Sequence, residues 1–383
     1  MIVGVWRLCL AVCTAVVAWG GAGWGVESWG VASARAQETI KVAYIDPFSG
    51  PFASGGDEFL KVFGYILDRV NAKGGALGRK FELVSFDDKL QPAEALIALK
   101  KATDQNIPFA MQCTGSNVGA ALVEGVSKHN ARNPDNRILY LNCGALATEL
   151  TNEKCDFWQF RFAGNVEMRA VARVKALPKD VTKVYLLNQD YLFGQSVQHD
   201  TRKYLEKLRP DIQIVGDELM PFGKVQDFSS YVAKIRGSGA QSVITGNYNR
   251  DLNLLIKAAV DDGLNVRFDT YLAHLLGGPT AIGAAGENRL SSITEFDPNV
   301  AVELKKPEAE AFAVGWREHH DTDFSEIPFL TMFDMLTTAI NKAGSTDALK
   351  VALTLEGMKT TDLVGQPVEM RKEDHQLLMP YYA

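Results

Sequence analysis

The chain has 383 residues, of which 46% are hydrophobic and 22% charged, and its net charge at pH 7 is −6. This length and composition predict a soluble globular protein of two domains of about 150 residues each. The negative balance, without any run of lysine and arginine, argues against nucleic acid as a partner, because phosphate binding needs a concentrated basic surface.

The N-terminus has the pattern of a secretory signal peptide. Arg7 precedes an apolar stretch from Leu8 to Trp19, and small residues then lead to Ala34-Arg35-Ala36. A charged start, an apolar centre and an A-x-A site predict a signal peptide over residues 1–36, cleaved after Ala36. We therefore expect an exported, periplasmic protein. The alternative is a lipoprotein tethered through Cys13, which follows a poor lipidation sequence.

Strand patterns alternate with helix patterns along the mature chain. Strands are predicted over residues 40–45, 80–86, 108–112, 137–142, 184–188, 212–219, 242–245 and 267–271. This alternation predicts an α/β fold with two doubly wound, Rossmann-like lobes, each built on a parallel sheet. Two later helices, over 307–320 and 327–343, exceed what the second lobe needs. We therefore predict that the chain crosses back to the first lobe near 291–296.

These patterns assign residues 37–162 and 293–350 to the first lobe and residues 163–292 and 351–383 to the second. Open α/β sheets bind ligands beyond the carboxyl ends of their strands. Two such lobes facing each other form a cleft that closes by hinge motion. The residues that directly follow the strands are therefore the candidates for the binding site.

The sequence contains no motif that would carry catalysis. It lacks a G-x-S-x-G elbow, an H-E-x-x-H pair and a phosphate loop after a strand. His319-His320 lies at a predicted helix end, where the helix dipole explains it without a metal. We expect no enzyme activity, no metal and no cofactor. His274, which follows a predicted strand, is a candidate ligand contact.

The loops after the strands of the first lobe favour an anion. Thr114, Gly115, Ser116 and Asn117 open a helix, where free N–H groups beside a hydroxyl can hold a carboxylate. Simple capping by Ser116 or Asn117 is the alternative explanation. After the next strand, Gly144-Ala145 lets the backbone approach a ligand closely.

Aromatic residues follow the strands of the second lobe. Tyr191 and Phe193 lie at one strand-to-helix turn, and Tyr248 lies at the next. Such residues form either the walls of a ligand pocket or covers over the strand edges, and the pattern does not separate the two.

Short matches run through most of the mature chain, and together they resemble a known family. They include Ile40-Lys41-Val42-Ala43, Ser49-Gly50-Pro51, Asp57, Val70-Asn71-Ala72-Lys73-Gly74-Gly75, Asp87-Asp88, Gly144-Ala145, Glu149-Leu150-Thr151, Phe193-Gly194, Asp227-Phe228-Ser229 and Gly263-Leu264. The chain resembles the leucine/isoleucine/valine-binding type of periplasmic solute-binding protein, the receptor of ABC importers. The resemblance implies two lobes joined by three crossovers, a ligand between them, a permease in the inner membrane as partner, and no catalysis. We expect a monomer.

Several family positions carry different residues here. The first-lobe hydroxyl that contacts the ligand carboxylate corresponds to Thr114. The threonine that helps hold the α-ammonium is replaced by Leu146, and the second-lobe glutamate aligns with Leu272. The first-loop aromatic is replaced near Gly55, where Phe52 is close enough to substitute.

Cleavage after residue 36 leaves three cysteines, Cys113, Cys143 and Cys155. An odd number in an oxidising compartment suggests one bridge and one buried thiol, and three unbridged core residues are the alternative. The family's first-lobe disulfide is not possible here, because Lys89 or Leu90 stands where the partner of Cys113 would be. We predict a Cys143–Cys155 bridge, whose loop of about a dozen residues would stabilise the fold by roughly 3 kcal/mol.

The missing ammonium acceptors guide the prediction of the ligand. An ammonium without acceptors in a closed cleft costs about 2–5 kcal/mol, and Leu146 and Leu272 supply none. We therefore predict an aromatic or otherwise apolar carboxylic acid as ligand, with a branched-chain amino acid or amide as the alternative. A ligand-sensing module for a membrane receptor is a second alternative that the sequence does not separate from transport.

Overall fold

The structure is a computed structural model that describes residues 38–50, 52–275 and 277–383. The predicted signal peptide and its cleavage site lie outside the described residues. Within the described part of the chain, no helix has the length and hydropathy needed to cross a membrane.

The first half of the chain builds a parallel sheet of five strands in the order β2-β1-β3-β4-β5. Its elements are β1 (Ile40–Asp46), α1 (Ala53–Ala72), β2 (Phe81–Asp87), α2 (Pro92–Asp104), β3 (Phe109–Gln112), α3 (Ser116–Arg132), β4 (Leu139–Asn142) and β5 (Gln159–Arg161). A short helical turn at Thr148–Thr151 precedes β5. The inner strands are buried on both faces, as helices covering a parallel sheet require.

The second half builds another parallel sheet of five strands in the order β10-β9-β8-β6-β7. Its elements are α4 (Val166–Ala176), β6 (Lys183–Gln189), α5 (Leu192–Leu208), β7 (Gln213–Met220), α6 (Ser229–Ser238), β8 (Ser242–Thr245), α7 (Asn249–Asp261), β9 (Arg267–Thr270), α8 (Gly278–Ile282) and β10 (Leu290–Ser292). A helical turn at Gly283–Gly286 follows α8. The predicted fold class of two doubly wound lobes is confirmed.

The remaining chain returns to the first lobe. It forms α9 (Pro298–Glu303), α10 (Pro307–Arg317), α11 (Ile327–Ala343), α12 (Ala348–Leu355), β11 (Lys359–Thr361), β12 (Pro367–Met370) and β13 (Leu377–Leu378). The three strands make a small antiparallel sheet. α11 packs on α1, where Phe63 and Phe329 stack with ring centroids 4.9 Å apart.

The assignment of residues 351–383 to the second lobe is wrong. Val351, Leu355, Val368 and Leu377 are all buried in the core that surrounds the first sheet. The chain beside Leu377 also extends the first sheet, since Gln376 pairs in parallel with Arg161 at the end of β5. The apolar faces of α12 and β12 are therefore buried against the first lobe. Only the last residues reach the junction, where Tyr382 pairs with Thr294.

The predicted Cys143–Cys155 bridge is also wrong, because Cys113 pairs with Cys143. Gln112 and Asn142 are paired neighbours at the ends of β3 and β4. The two cysteines follow directly and lie with their Cα atoms 4.6 Å apart. Cys155 is exposed and unbridged. Adjacency of the strands, and not closeness along the chain, decides the pairing.

Candidate ligand-binding site

A cavity lies between the two lobes, at the carboxyl ends of the strands of both sheets. Its empty space, including the part open to solvent, is about 620 Å³. Eight of the residues predicted to contact ligand line it, namely Thr114, Ser116, Gly144, Leu146, Tyr191, Phe193, Tyr248 and Leu272. These residues follow β3, β4, β6, β8 and β9, so the rule for open α/β sheets holds for both lobes.

Four predicted residues lie elsewhere. The Asn117 side chain accepts a hydrogen bond from the Leu192 N–H at 3.3 Å. Ala145 is buried and packs with Ala147 and Leu150. The ring of Phe52 lies against Tyr248, which lines the cavity. His274 lines a neighbouring cavity, where its Nδ1 lies 2.8 Å from the Ser292 hydroxyl.

Thr114 is less available to a ligand than the sequence predicts. Its N–H donates to Asp46 Oδ1 at 2.8 Å and its hydroxyl to Asp46 Oδ2 at 3.1 Å. The Tyr44 hydroxyl also donates to this carboxylate, at 2.6 Å. Burial raises the pKa of Asp46 to about 6, although these hydrogen bonds oppose the shift. The Thr114 donors are therefore occupied by the protein itself.

Free N–H donors lie at the two residues that follow Thr114, at the start of α3. Within the described chain, no acceptor takes the N–H groups of Gly115 and Ser116, and both residues line the cavity. Gly115 has φ +91°, a conformation that favours glycine and turns the chain into the helix. The Ser116 hydroxyl accepts from the Ala147 N–H at 3.1 Å and keeps its own hydrogen to donate. A helix start with free donors suits a carboxylate.

Aromatic rings close the cleft from the second lobe and meet one ring from the first. Tyr191 stacks on Phe222 with centroids 4.2 Å apart, and its hydroxyl donates to that of Tyr248 at 3.3 Å. Phe52, from the loop after β1, packs on Phe222 at 4.6 Å and lies 6.1 Å from Tyr248. Phe193 completes the wall, edge-on to Tyr248. Since Phe52 belongs to the other lobe, these contacts describe a closed cleft.

A buried ion pair lies at the junction of the lobes and borders the cavity. Arg169, on α4, binds both carboxylate oxygens of Glu295, at 2.5 and 2.7 Å. Its remaining donors reach the carbonyls of Gly164, Tyr271 and Ile293. All N–H donors of the guanidinium are thus taken by protein acceptors in the segments that connect the lobes, and none is left for a ligand.

A second glutamate in the lining has no such partner. Glu326 directly precedes α11, is only 6% exposed, and accepts a single side-chain hydrogen bond, from the Ser325 hydroxyl at 2.9 Å. Burial is the main reason that its pKa is raised to about 8, and the charge of Glu295 adds to the effect.

Sequence reasoning did not identify Arg169, Glu295 and Glu326. They lie on a helix and on connecting segments far apart in the chain, and they match no motif. The available signal was a charged residue at the edge of an apolar segment, such as Glu326 directly before Ile327-Pro328-Phe329. This pattern indicates either a helix cap or a buried functional charge.

The sequence matches a known protein family over almost its whole described length. The model of the periplasmic binding protein family matches residues 39–383. The chain therefore belongs to the periplasmic binding protein family, a family of solute receptors and not of enzymes, and the predicted family resemblance is confirmed.

Individual relatives are of the same type. Leu/Ile/Val-binding protein homolog 4 of Brucella melitensis is 31% identical, covering 91% of this chain and 84% of the relative. The leucine-, isoleucine-, valine-, threonine- and alanine-binding protein of Brucella ovis, solved in a closed conformation, has a TM-score of 0.77 and 30% identity, covering 90% and 88%. An ABC-transporter solute-binding protein of Rhodopseudomonas palustris in complex with benzoate has a TM-score of 0.76 and 19% identity, covering 90% and 92%. This last likeness shows the fold alone.

Proposed function

We propose that this chain is the periplasmic substrate-binding component of an ABC importer. It captures a small molecule with a carboxylate and an apolar body in the cleft between its lobes. The lobes close over the ligand by hinge motion, and the closed monomer presents it to a permease in the inner membrane. The signal peptide predicted over residues 1–36 would direct the chain to the periplasm.

One observation carries this proposal. The unoccupied N–H groups of Gly115 and Ser116 open into a cleft whose other walls are largely apolar. Donors excluded from water need an acceptor, and a carboxylate is the acceptor that a helix start favours. The apolar surroundings then select a hydrocarbon or aromatic body by burial.

Two ligand classes meet this description, and different features support each. Aromatic carboxylic acids are supported by the rings of Tyr191, Phe193 and Tyr248 and by the two leucines at the former ammonium positions. The benzoate complex shows that this fold accommodates such an acid. Apolar α-amino acids are supported by Glu326 and by the relatives at 30–31% identity, which are named for leucine, isoleucine and valine.

A thermal-shift panel of free amino acids and aromatic acids tests the proposal. A ligand present at about 1,000 times its Kd stabilises the folded state by about 4 kcal/mol, so a true ligand raises the melting temperature clearly. Small-angle scattering with that ligand should show the closed form. The function would be contradicted if no carboxylate shifted the melting temperature. It would also be contradicted if the scattering envelope at ligand saturation were the same as without ligand and showed an open cleft.

A pair of variants at Ser116 isolates the proposed contact. Ser116 is the first residue of α3, a position that tolerates proline, so Ser116→Pro removes one N–H with little harm to the helix. Ser116→Ala is the matched control, because it also loses the hydroxyl but keeps the N–H. A charge-assisted hydrogen bond contributes about 1.5–3 kcal/mol, so the proline variant should bind at least about tenfold more weakly than the alanine variant. Equal affinities would exclude the Ser116 N–H as a carboxylate donor.

A further inference from the structure

We propose that Glu326 receives a protonated amine of the bound ligand and thereby sets the specificity of the cleft. The inference rests on the proposed function, since it concerns the same cavity. It adds a residue and a selectivity: of two carboxylates with the same apolar body, the one that also carries an amine is preferred.

The position of Glu326 supports this role. It lines the ligand cavity and also a neighbouring cavity of about 470 Å³, and Phe59 is shared by both. Ser325 occupies Oε1 at 2.9 Å, and no described residue donates to Oε2. A carboxylate that is more than nine-tenths buried and borders the ligand cavity thus keeps one oxygen without a donor among the described residues.

The ligand cavity contains no cation that is free to pair with Glu326. Arg169 is the one positive charge in the described lining of this cavity, and both oxygens of Glu295 bind it. Glu58, which faces Glu326 from α1, is itself paired with Lys61 at 3.1 Å. The net effect of these neighbours and of burial is the pKa of about 8, which describes a carboxyl group that lacks a counter-charge.

The neighbouring cavity supplies no cation either. Burial holds the pKa of His274 well below its usual value, and the charge of Arg169 acts in the same direction, so the imidazole is neutral at pH 7. Asp323 adds a further negative charge there and is paired with Arg317. A buried carboxylate without a partner is costly, so an ammonium from the ligand is the group that this side of the cleft lacks.

Glu326 can replace the ammonium acceptors that are missing at Leu146 and Leu272. Those residues remove the two acceptors of the family, but they do not leave the cleft without an acceptor. Glu326 comes from the first lobe and from a different part of the chain, so a residue-by-residue comparison does not reveal it. The preference for a plain acid therefore does not follow from the two leucines alone.

Matched ligand pairs provide the test: leucine with isocaproate, and phenylalanine with hydrocinnamate. The members of each pair share a carboxylate and a hydrocarbon body and differ in the α-amine. Calorimetric titration of the mature chain at pH 7 should show the amine member binding at least about thirtyfold more tightly, the cost of leaving one side of a buried charge pair empty.

Proton counting gives a second readout on the unaltered chain. With the acid bound, Glu326 keeps its proton, and with the amine bound it is ionised. Titrations in two buffers of different ionisation enthalpy measure the protons taken up or released on binding. Relative to the free protein and free ligand, binding of the acid should leave about one proton more on the complex than binding of the amine. This difference does not depend on the protonation of Glu326 in the free protein.

Glu326→Gln should remove both the preference and the proton difference, while Glu310→Gln, an exposed glutamate on α10, should change neither. Thermal unfolding checks that both variants fold. Acids that bind as well as their amine partners, or a preference that survives Glu326→Gln, would overturn the role of Glu326 and leave the proposed function standing. Failure of all four ligands, with no other carboxylate shifting the melting temperature, would overturn both.

Discussion

Replacement of Phe52 by alanine should weaken ligand binding without weakening the fold of either lobe. Phe52 belongs to the first lobe, yet only 8% of it is exposed, and its ring packs on Phe222 and Tyr248 of the second. These contacts exist only while the cleft is closed. The substitution therefore penalises the closed, ligand-bound form and spares the open one.

The magnitude follows from the contacts. Burial of a phenylalanine side chain contributes about 1.5–3 kcal/mol, and the close ring pair with Phe222 adds about 0.5–1.5 kcal/mol. A total of about 2–4.5 kcal/mol corresponds to an affinity about 30-fold to about 1,600-fold lower. Calorimetric titration with the tightest ligand of the panel measures this loss directly, and scattering should show less closure at equal saturation.

Phe312→Ala is the matched control. Phe312 packs on Tyr65 and Phe324 inside the first lobe, with centroids 4.8 and 5.0 Å away, so its loss should lower the melting temperature of the free chain and leave the affinity nearly unchanged. An affinity of Phe52→Ala within about threefold of the wild type would refute the reasoning. A melting temperature of the free Phe52→Ala chain that falls as far as that of Phe312→Ala would refute it as well.

Two further predictions concern stability. Reduction of the Cys113–Cys143 bridge, whose cysteines are 30 residues apart, should lower the free energy of unfolding by about 4 kcal/mol in denaturant titrations. Alkylation of the native mature chain should label Cys155 alone, and three labelled thiols would contradict the pairing. Asp88→Asn should stabilise the chain by about 5 kcal/mol at pH 8 and leave it unchanged near pH 4, as thermal unfolding across pH can measure. Burial and the charge of Asp46 raise the pKa of Asp88 to about 8, so the stability contributed by its protonated form is present below pH 4 and is lost as the pH rises towards 8. Equal gains at both pH values would contradict this account.

The layout of the two sheets was predictable because each strand and helix leaves its own local pattern. Buried runs such as β1 and the apolar spacing of α1 do not depend on distant contacts. In such a fold the ligand site lies at the carboxyl ends of the strands. The loops at Thr114, Gly144 and Tyr191 could therefore be identified as candidates because each directly follows a predicted strand.

The parts that the sequence did not predict depend on contacts between distant residues. Arg169 and Glu295 are 126 residues apart, and only the folded junction brings them together. The occupation of the Thr114 donors by Asp46 joins residues 68 apart in the same way. Tertiary packing likewise decides the bridge partner of Cys143 and the lobe on which the C-terminal sheet packs. No local sequence pattern encodes either of them.

The exposed thiol of Cys155 gives this protein a use as a concentration sensor. Among the described residues it is the one cysteine outside the bridge, so a thiol-reactive dye would attach at a single place on the mature chain. The residues just before it, Asn152 to Lys154, border a groove whose opposite wall is formed by Leu192, His199 and Lys203 of the other lobe. A dye at this position would change its surroundings as the groove opens and narrows. Its fluorescence would then convert occupancy of the cleft into an optical signal, without any change to the residues that line the cavity.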